Sequence, residues 1–314
     1  MRGTTIAMAA AVLIGGSLIA RGANADNPCG ATSKVMRQAC RDAAGEDFSI
    51  ATGNCVNSSD AGSVKPCKKT AKQDLTDAKS ECADQFKARE DFCSALGKGP
   101  YDPVIDIQTF LLPANIAANP NPLFPLIPGT VWVYKNQSNG ETDTVTVTNQ
   151  TQVIDNVTTI AVHDVVQDAS NVVTEDTIDF FAQQTDGTVW YFGETTQQFE
   201  GGLLIGIEGT FLAGRDGAKP GIIMKATPMV GDVYRQEFLL GDAEDGGKVI
   251  STTASESVPA TSCSGTCLET FEFSPLDIGG DENKFYKPGV GMILEVDIDG
   301  GARNELISFT PPGP

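Results

Sequence analysis

Two different hydrophobic periodicities divide this sequence. Between about Pro66 and Leu96, apolar residues recur at helical spacing, and the positions between them are mostly Lys, Asp, Glu and Gln. Such a stripe is typical of an amphipathic helix with one buried face. From Thr130 onward, apolar and polar residues alternate, which is typical of half-buried strands. The pattern therefore predicts an α+β chain of several parts. The helical stripe consists of Leu75, Ala78, Cys82, Phe86, Cys93 and Leu96.

Six cysteines in the helical part have a symmetric spacing. Their separations are 11, 15, 12, 15 and 11 residues, so the pattern reads the same from both ends. Eleven helical residues rise about 16.5 Å, whereas bridged Cα atoms lie within about 7 Å, so neighbouring cysteines on one helix cannot pair. An antiparallel helical hairpin over residues 26–99 would satisfy the symmetry. The predicted disulfides are Cys29–Cys93, Cys40–Cys82 and Cys55–Cys67.

Local signals support the two helices of this hairpin. Asn27-Pro28 combines an N-cap residue with proline at the first helical position, and Pro66 stands near the start of the second helix. Gly45 and the polar run from Thr52 to Ser63 are predicted to form the turn. A metal site is the alternative role for the cysteines, but the segment has no CxxC pair and no histidine.

The remaining sequence predicts a linker and one large β domain. Residues 100–128 contain seven prolines, which favours an extended path across a surface. Residues 129–314 alternate between short strand patterns and Gly-rich turns, beginning with a hairpin around Ser138-Asn139-Gly140. No long helical pattern interrupts them. We therefore expect a mainly antiparallel meander, either a curved sheet or a barrel-like one.

Residues 1–25 have the features of a secretory signal peptide. Arg2 precedes an apolar run from Ile6 to Ala20, and Ala23-Asn24-Ala25 resembles a cleavage site. Export agrees with the eight cysteines of the chain, an even number that suits an oxidising compartment. The expected location is secreted or periplasmic, with no integral membrane anchor after cleavage.

Acidic charge is concentrated in the β domain. Residues 26–100 carry 11 basic and 11 acidic side chains, whereas residues 101–314 carry 9 basic and 30 acidic ones. Such a body repels nucleic acid, so no nucleic-acid partner is expected. The sequence indicates no cofactor. Calcium binding remains an alternative for the acidic turns, although none of them matches the EF-hand template.

Few side chains indicate chemistry. His163 is the one histidine, it stands beside Asp164, and no G-x-S-x-G elbow accompanies it. Trp190, Tyr191 and Glu194 could line a ligand site, although large aromatics also fill β cores. Cys263 and Cys267 are expected to close a local disulfide, with a redox pair as the alternative. The candidate ligand-binding residues are therefore Trp190, Tyr191, Glu194 and His163, and no catalytic or metal residue is assigned.

Several strings in residues 100–310 resemble a family of uncharacterised secreted bacterial proteins rich in β structure. They are Pro125-Leu-Ile-Pro-Gly-Thr-Val-Trp-Val-Tyr134, Thr188-Val-Trp-Tyr-Phe-Gly-Glu194, Gly214-Arg-Asp-Gly-Ala-Lys-Pro-Gly-Ile-Ile-Met224, Val230-Gly-Asp-Val-Tyr-Arg-Gln-Glu237 and Tyr286-Lys-Pro-Gly-Val-Gly-Met292. The resemblance implies an exported bacterial β protein. It implies no activity, so no functional residue is carried over.

The sequence favours an exported, non-enzymatic binding or interaction protein. The β domain would hold a small ligand or a protein partner, and the hairpin would act as a docking module or spacer. A cavity lined by apolar or aromatic side chains would support this function. The alternatives are a secreted hydrolase that uses paired carboxylates and a structural surface protein.

Overall fold

Two long antiparallel helices open the structure. The computed structural model of the protein describes residues 27–313, so the predicted signal peptide lies outside the described residues. Helix α1 spans Pro28–Val56 and helix α2 spans Ala61–Leu96. The side chain of Asn27 accepts a hydrogen bond from the Gly30 amide at 2.9 Å, and Asp60 caps α2 in the same way through Gly62. Both helices thus begin at residues that satisfy free backbone donors.

The turn between the helices is shorter than the sequence predicts. Gly45 lies inside α1, which continues to Val56, and α2 begins five residues before Pro66. Only residues 57–60 connect the two helices. Gly45 was wrongly assigned to the turn because one glycine costs a helix only about 1 kcal/mol. The Cys55–Cys67 bridge, next to this connection, joins the end of α1 to the beginning of α2.

Every cysteine in the described part of the chain is paired. The hairpin contains the nested disulfides Cys29–Cys93, Cys40–Cys82 and Cys55–Cys67, with Cα atoms 5.7, 5.7 and 5.6 Å apart. The fourth disulfide, Cys263–Cys267, closes a local loop in the β domain. These are the pairings that the spacing predicts.

None of the helices in residues 27–313 combines the length and hydropathy that a membrane crossing requires.

The proline-rich segment after the hairpin contributes to the core of the β domain. It contains a 3₁₀ turn, Ile107–Thr109, and a short helix α3, Pro113–Ile116. Ile116 and Leu126 are almost fully buried, and the buried Asn121 side chain donates to the Gly187 carbonyl at 2.8 Å. The sequence predicts an extended path across a surface but not this contribution to the core, in which the apolar residues of the segment fill space beside the sheet.

Fifteen strands between residues 131 and 310 form one antiparallel sheet, with the order β10-β8-β5-β4-β3-β2-β1-β15-β14-β13-β12-β11-β9 and with β6 and β7 beside β5. The strands are β1 Val131–Asn136, β2 Thr142–Ile154, β3 Val157–Gln167, β4 Val173–Gln183, β5 Val189–Glu200, β6 Leu203–Gly206, β7 Phe211–Leu212, β8 Lys219–Met224, β9 Val233–Arg235, β10 Glu237–Phe238, β11 Gly246–Val258, β12 Thr261–Phe273, β13 Glu282–Lys287, β14 Gly291–Asp297 and β15 Arg303–Thr310.

A single segment nearly closes this sheet into a barrel-like body. Strands β9 and β10 lie at opposite ends of the sheet order but are consecutive in the chain. Because β9 pairs with β11 and β10 pairs with β8, residues 233–238 contact both ends of the sheet. We call this segment the seam. Gly221 permits the close approach, since a Cβ at this position would collide with the backbone of Gln236.

The hairpin packs against the seam. Arg89 of α2 donates from Nη2 to Glu244 Oε1 at 2.6 Å and from Nε to Glu244 Oε2 at 2.8 Å, and both side chains are at least 95 % buried. Phe92 lies between the Phe273 ring, at 4.6 Å, and the Arg235 guanidinium, at 4.3 Å. The end of α2 is therefore part of the β-domain interface.

Candidate functional site

A cavity of about 260 Å³ lies inside the barrel-like sheet, and we call it the aromatic pocket. The pleat of the strands builds it, because every second side chain of a strand points to the same face. Phe181 and Tyr191 stack with ring centroids 4.8 Å apart, and Phe124 packs on Phe181 at 5.1 Å. Six aromatic side chains line the pocket: Phe124, Trp132, Tyr134, Phe181, Tyr191 and Tyr286.

Carboxyl groups occupy inward positions on the same strands. Asp164 follows the inward residues Ile160 and Val162 on β3, and Asp179 precedes the inward Phe181 on β4. Asp179 stands directly opposite Glu194 of β5 in the sheet register. Two ionised carboxylates in such cross-strand positions would destabilise a sheet. Carboxyl pairs whose pKa values are shifted by burial and by each other are typical of functional sites.

A second, more polar cavity of about 390 Å³ adjoins the aromatic pocket, and we call it the acidic groove. The two cavities share four lining residues, namely Tyr191, Ile223, Glu272 and Lys284. Glu194, Glu237 and Asp245 line the acidic groove. Together the two cavities offer an aromatic end and an acidic end.

Lys284 is surrounded by carboxylates. Its Nζ lies 3.1 Å from Glu272 Oε2, 3.3 Å from Glu295 Oε2 and 3.5 Å from Glu282 Oε2. Burial opposes the charge of Lys284, but these three neighbours hold its pKa well above the usual value. Burial likewise opposes ionisation of Glu272, yet Lys284 and hydrogen bonds keep its pKa below the usual value. Burial and nearby carboxylates raise the pKa of Glu282 to about 7 despite Lys284.

The other interior carboxyls hold protons more tightly than usual. Burial, followed by the charge of Asp143, raises the pKa of Asp164 well above its ordinary value. Burial also raises the pKa of Asp143 to about 6, and the two carboxyls lie within hydrogen-bond reach of each other. In Asp179, burial and then the charges of Asp164 and Glu194 raise the pKa strongly.

One tyrosine hydroxyl is shared between two carboxyls. Tyr191 Oη lies 2.6 Å from Asp179 Oδ1 and 2.7 Å from Glu194 Oε2. The hydroxyl has one proton to donate, so two ionised carboxylates at these distances would leave one short contact without a proton. The group is therefore satisfied when one of its carboxyls is protonated, in agreement with the raised pKa values of Asp179 and Glu194.

The structure separates the four residues that the sequence proposes for ligand binding. Tyr191 and Glu194 line the acidic groove. Trp190 packs on Phe110 in a smaller cluster on the other face of β5, and its Nε1 donates to Gln184 at 2.9 Å. The Nε2 atom of His163 lies 2.8 Å from Asp176, and both side chains are about 40 % exposed. Ligand binding by these residues stays a prediction.

Sequence reasoning missed Asp164, Asp179 and Lys284. A signal was present: Asp164 has the same strand parity as Ile160 and Val162, and Asp179 has the same parity as Phe181. An acidic residue in the buried register of a strand is a conspicuous exception. For Lys284, no local pattern distinguishes its buried position from that of a surface lysine.

No family model and no curated protein matches this chain. Two solved structures are similar to part of it. One is a proposed exported protein with a YmcC-like fold from Bacteroides fragilis, with 13 % identity, 60 % of this chain and 99 % of that chain covered, and a TM-score of 0.35. The other is a proposed lipoprotein from Parabacteroides distasonis, with 12 % identity, 61 % and 100 % coverage, and a TM-score of 0.31.

Proposed function

We propose that this is an exported binding protein that holds a small ligand in the aromatic pocket, with the acidic groove beside it. The observation that carries the proposal is the cavity of about 260 Å³ lined by six aromatic side chains. Small-molecule sites are concave and mostly apolar, with a few polar groups that orient the ligand. The four disulfides suit an oxidising compartment outside the cytoplasm. Secretion or release into a periplasm fits this setting.

In this function the hairpin supports the binding body. Arg89 and Phe92 contact the seam and the loop that precedes β11, so the hairpin stabilises the segment that brings the ends of the sheet together. The bridges Cys40–Cys82 and Cys29–Cys93 attach α1 to α2 on either side of these two residues. A hairpin that were only a spacer would not need a buried ion pair with the β domain.

Native mass spectrometry of the exported protein tests the binding function. We expect a co-purifying small molecule that is absent from the variant Val145→Phe, because Val145 lines the pocket and the larger side chain fills it. The matched control is Thr146→Phe, the next residue on β2, which has the opposite strand parity. Circular dichroism confirms that both variants fold. A native protein without any adduct, or adducts equally present in the Val145 variant, would contradict the proposal.

One observation favours hydrolysis as a second candidate function. The Tyr191 hydroxyl contacts Asp179 and Glu194 together, and burial raises the pKa of both carboxyls. A protonated carboxyl beside an ionised one is the pair that glycoside hydrolysis needs. Turnover of polysaccharide or peptide libraries that Glu194→Gln abolishes would support this function, and the absence of turnover would favour binding alone.

A further inference from the structure

The hydrogen-bond donors around the aromatic pocket already have partners within the protein. Trp132 Nε1 donates to the Val290 carbonyl at 2.6 Å, and the Tyr134 hydroxyl donates to the Met292 carbonyl at 3.0 Å. The Tyr286 hydroxyl donates to Glu272 at 3.1 Å. Tyr191 and Lys284 are occupied by carboxylates, as described above. The pocket therefore offers a ligand aromatic surfaces and acceptors, but few donors.

The hydrogen-bond acceptors in the pocket include two carboxyl groups that have no cation beside them. Asp164 and Asp179 both line the pocket, and neither takes part in an ion pair within residues 27–313. Asp164 Oδ1 is a buried atom without a hydrogen-bond partner, with the Asp143 carboxyl near it, whereas Asp179 Oδ1 accepts from the Tyr191 hydroxyl. Buried polar atoms are normally satisfied, so the orphaned Asp164 oxygen points to a donor that a ligand supplies.

Aromatic rings and carboxyls together favour one class of ligand. A cation over an aromatic face is attracted by the ring, and a buried carboxylate gains more from a charged donor than from a neutral one. An anionic ligand would meet like charges here and would find Lys284 already neutralised by three glutamates.

We infer that the ligand of the aromatic pocket is an organic cation, a protonated amine on an apolar body, whose ammonium group binds Asp164 and Asp179. This inference rests on the proposed binding function. The apolar body packs among Phe124, Trp132 and Phe181, while the ammonium donates to the unpartnered Asp164 Oδ1 and to the Asp179 carboxyl, which has no cation beside it.

Binding of a cation must then compete with protons. The groups that face Asp164 and Asp179 are mostly acidic, and burial together with these neighbours raises the pKa of both carboxyls well above the ordinary value. A bound ammonium favours the ionised carboxylates, so binding releases protons and strengthens as the pH rises. The facing titratable groups are Tyr134, Asp143, Glu175, Tyr191, Glu194, Glu237, Lys284 and Glu295.

Isothermal titration with three probes of one shape tests the ligand class. The probes are 4-phenylbutylamine, 4-phenylbutanol and 4-phenylbutyrate, which share an apolar body and differ in charge. At pH 8 we expect the amine to bind at least tenfold more tightly than the alcohol, and the carboxylate to bind most weakly. Between pH 5 and pH 8 the affinity for the amine should rise at least tenfold, while the affinity for the alcohol stays constant.

Two substitutions on β4 localise the effect. Asp179→Asn should weaken binding of the amine at least tenfold and leave binding of the alcohol unchanged. The matched control is Asp176→Asn, which removes the outward partner of His163 and should change neither. Two results would overturn the cation class and leave the binding function standing. One is that the alcohol or the carboxylate binds as tightly as the amine, and the other is that Asp179→Asn retains full affinity for the amine. If no probe binds although a ligand co-purifies, the class is also overturned; if neither is observed, both proposals fail.

Discussion

At the scale of single residues, the buried ion pair between the two parts of the chain is the most consequential contact. Arg89 and Glu244 are at most 4 % exposed, and Glu244 also accepts from the Gly241 amide at 2.9 Å. A buried pair of this kind adds little net stability compared with apolar residues, but removal of one partner leaves an uncompensated charge.

We therefore expect Arg89→Met to destabilise the protein by about 3–5 kcal/mol in urea unfolding. The double variant Arg89→Met with Glu244→Leu should recover most of this loss, since no unpaired charge remains. Lys87→Met is the control, because Lys87 forms an exposed pair with Asp91 on the same helix. Equal losses in the single and the double variant would contradict the argument.

Residue patterns foresaw part of the site and missed another part. Tyr191 and Glu194 are foreseeable because an aromatic side chain and an acid stand together on a strand. Their shared partner Asp179 was not foreseeable from local sequence, since it lies twelve residues from Tyr191 and reaches it only through the β4–β5 register. Trp190 shows the opposite error: it adjoins Tyr191 in sequence, but the pleat turns it to the other face.

At the scale of elements, spacing alone predicted the hairpin well. Two helices with cysteines eleven residues apart present them on one face, and an antiparallel arrangement pairs them in order. The helix ends were less predictable, as Gly45 demonstrates, because a single glycine costs a helix only about 1 kcal/mol and need not end it. The burial of apolar residues in the proline-rich segment was likewise not predictable, because it depends on contacts with the sheet.

Gly45 offers a test of this interpretation of α1. It lies within the helix, and a Cβ at this position would meet no atom within 4 Å. We expect Gly45→Ala to stabilise the protein by about 0.5–1 kcal/mol, because alanine loses less backbone entropy in a helix. Thermal unfolding measures the change. Gly246→Ala is the contrasting variant and should destabilise, since its Cβ would collide with the Phe92 ring. A loss of stability in the Gly45 variant would indicate a break in α1.

At the scale of the whole molecule, acidic charge inside the sheet couples stability to pH. Burial raises the pKa of Asp143 from 3.8 to about 6 and that of Glu282 from 4.5 to about 7. A raised folded-state pKa means that the folded protein binds protons more tightly than the unfolded chain. This contribution is fully present below about pH 4 and is lost as the pH rises through 6 and 7.

We expect the thermal midpoint of the ligand-free protein to fall between pH 5 and pH 8. Each unit of pKa shift corresponds to about 1.4 kcal/mol, and about one unit of the Asp143 shift lies above pH 5, so Asp143 contributes on the order of 1 kcal/mol to the decline in this range. The variant Asp143→Asn should show a shallower decline, because an amide has no proton to lose in this range. Glu208→Gln, at an exposed position, is the control. An identical decline in the wild type and the Asp143 variant would contradict the assignment.

The sequence by itself determined the order of the two parts, the helical hairpin with its disulfide pairing, and the antiparallel character of the β domain. These follow from spacing and periodicity, which act over short distances along the chain. Only the tertiary structure decided that the sheet nearly closes, that the hairpin packs against the seam, and that carboxyls and aromatic rings share one cavity. Those features depend on strand register and on contacts between distant residues. A local pattern records that a side chain points inward but not which groups it meets there.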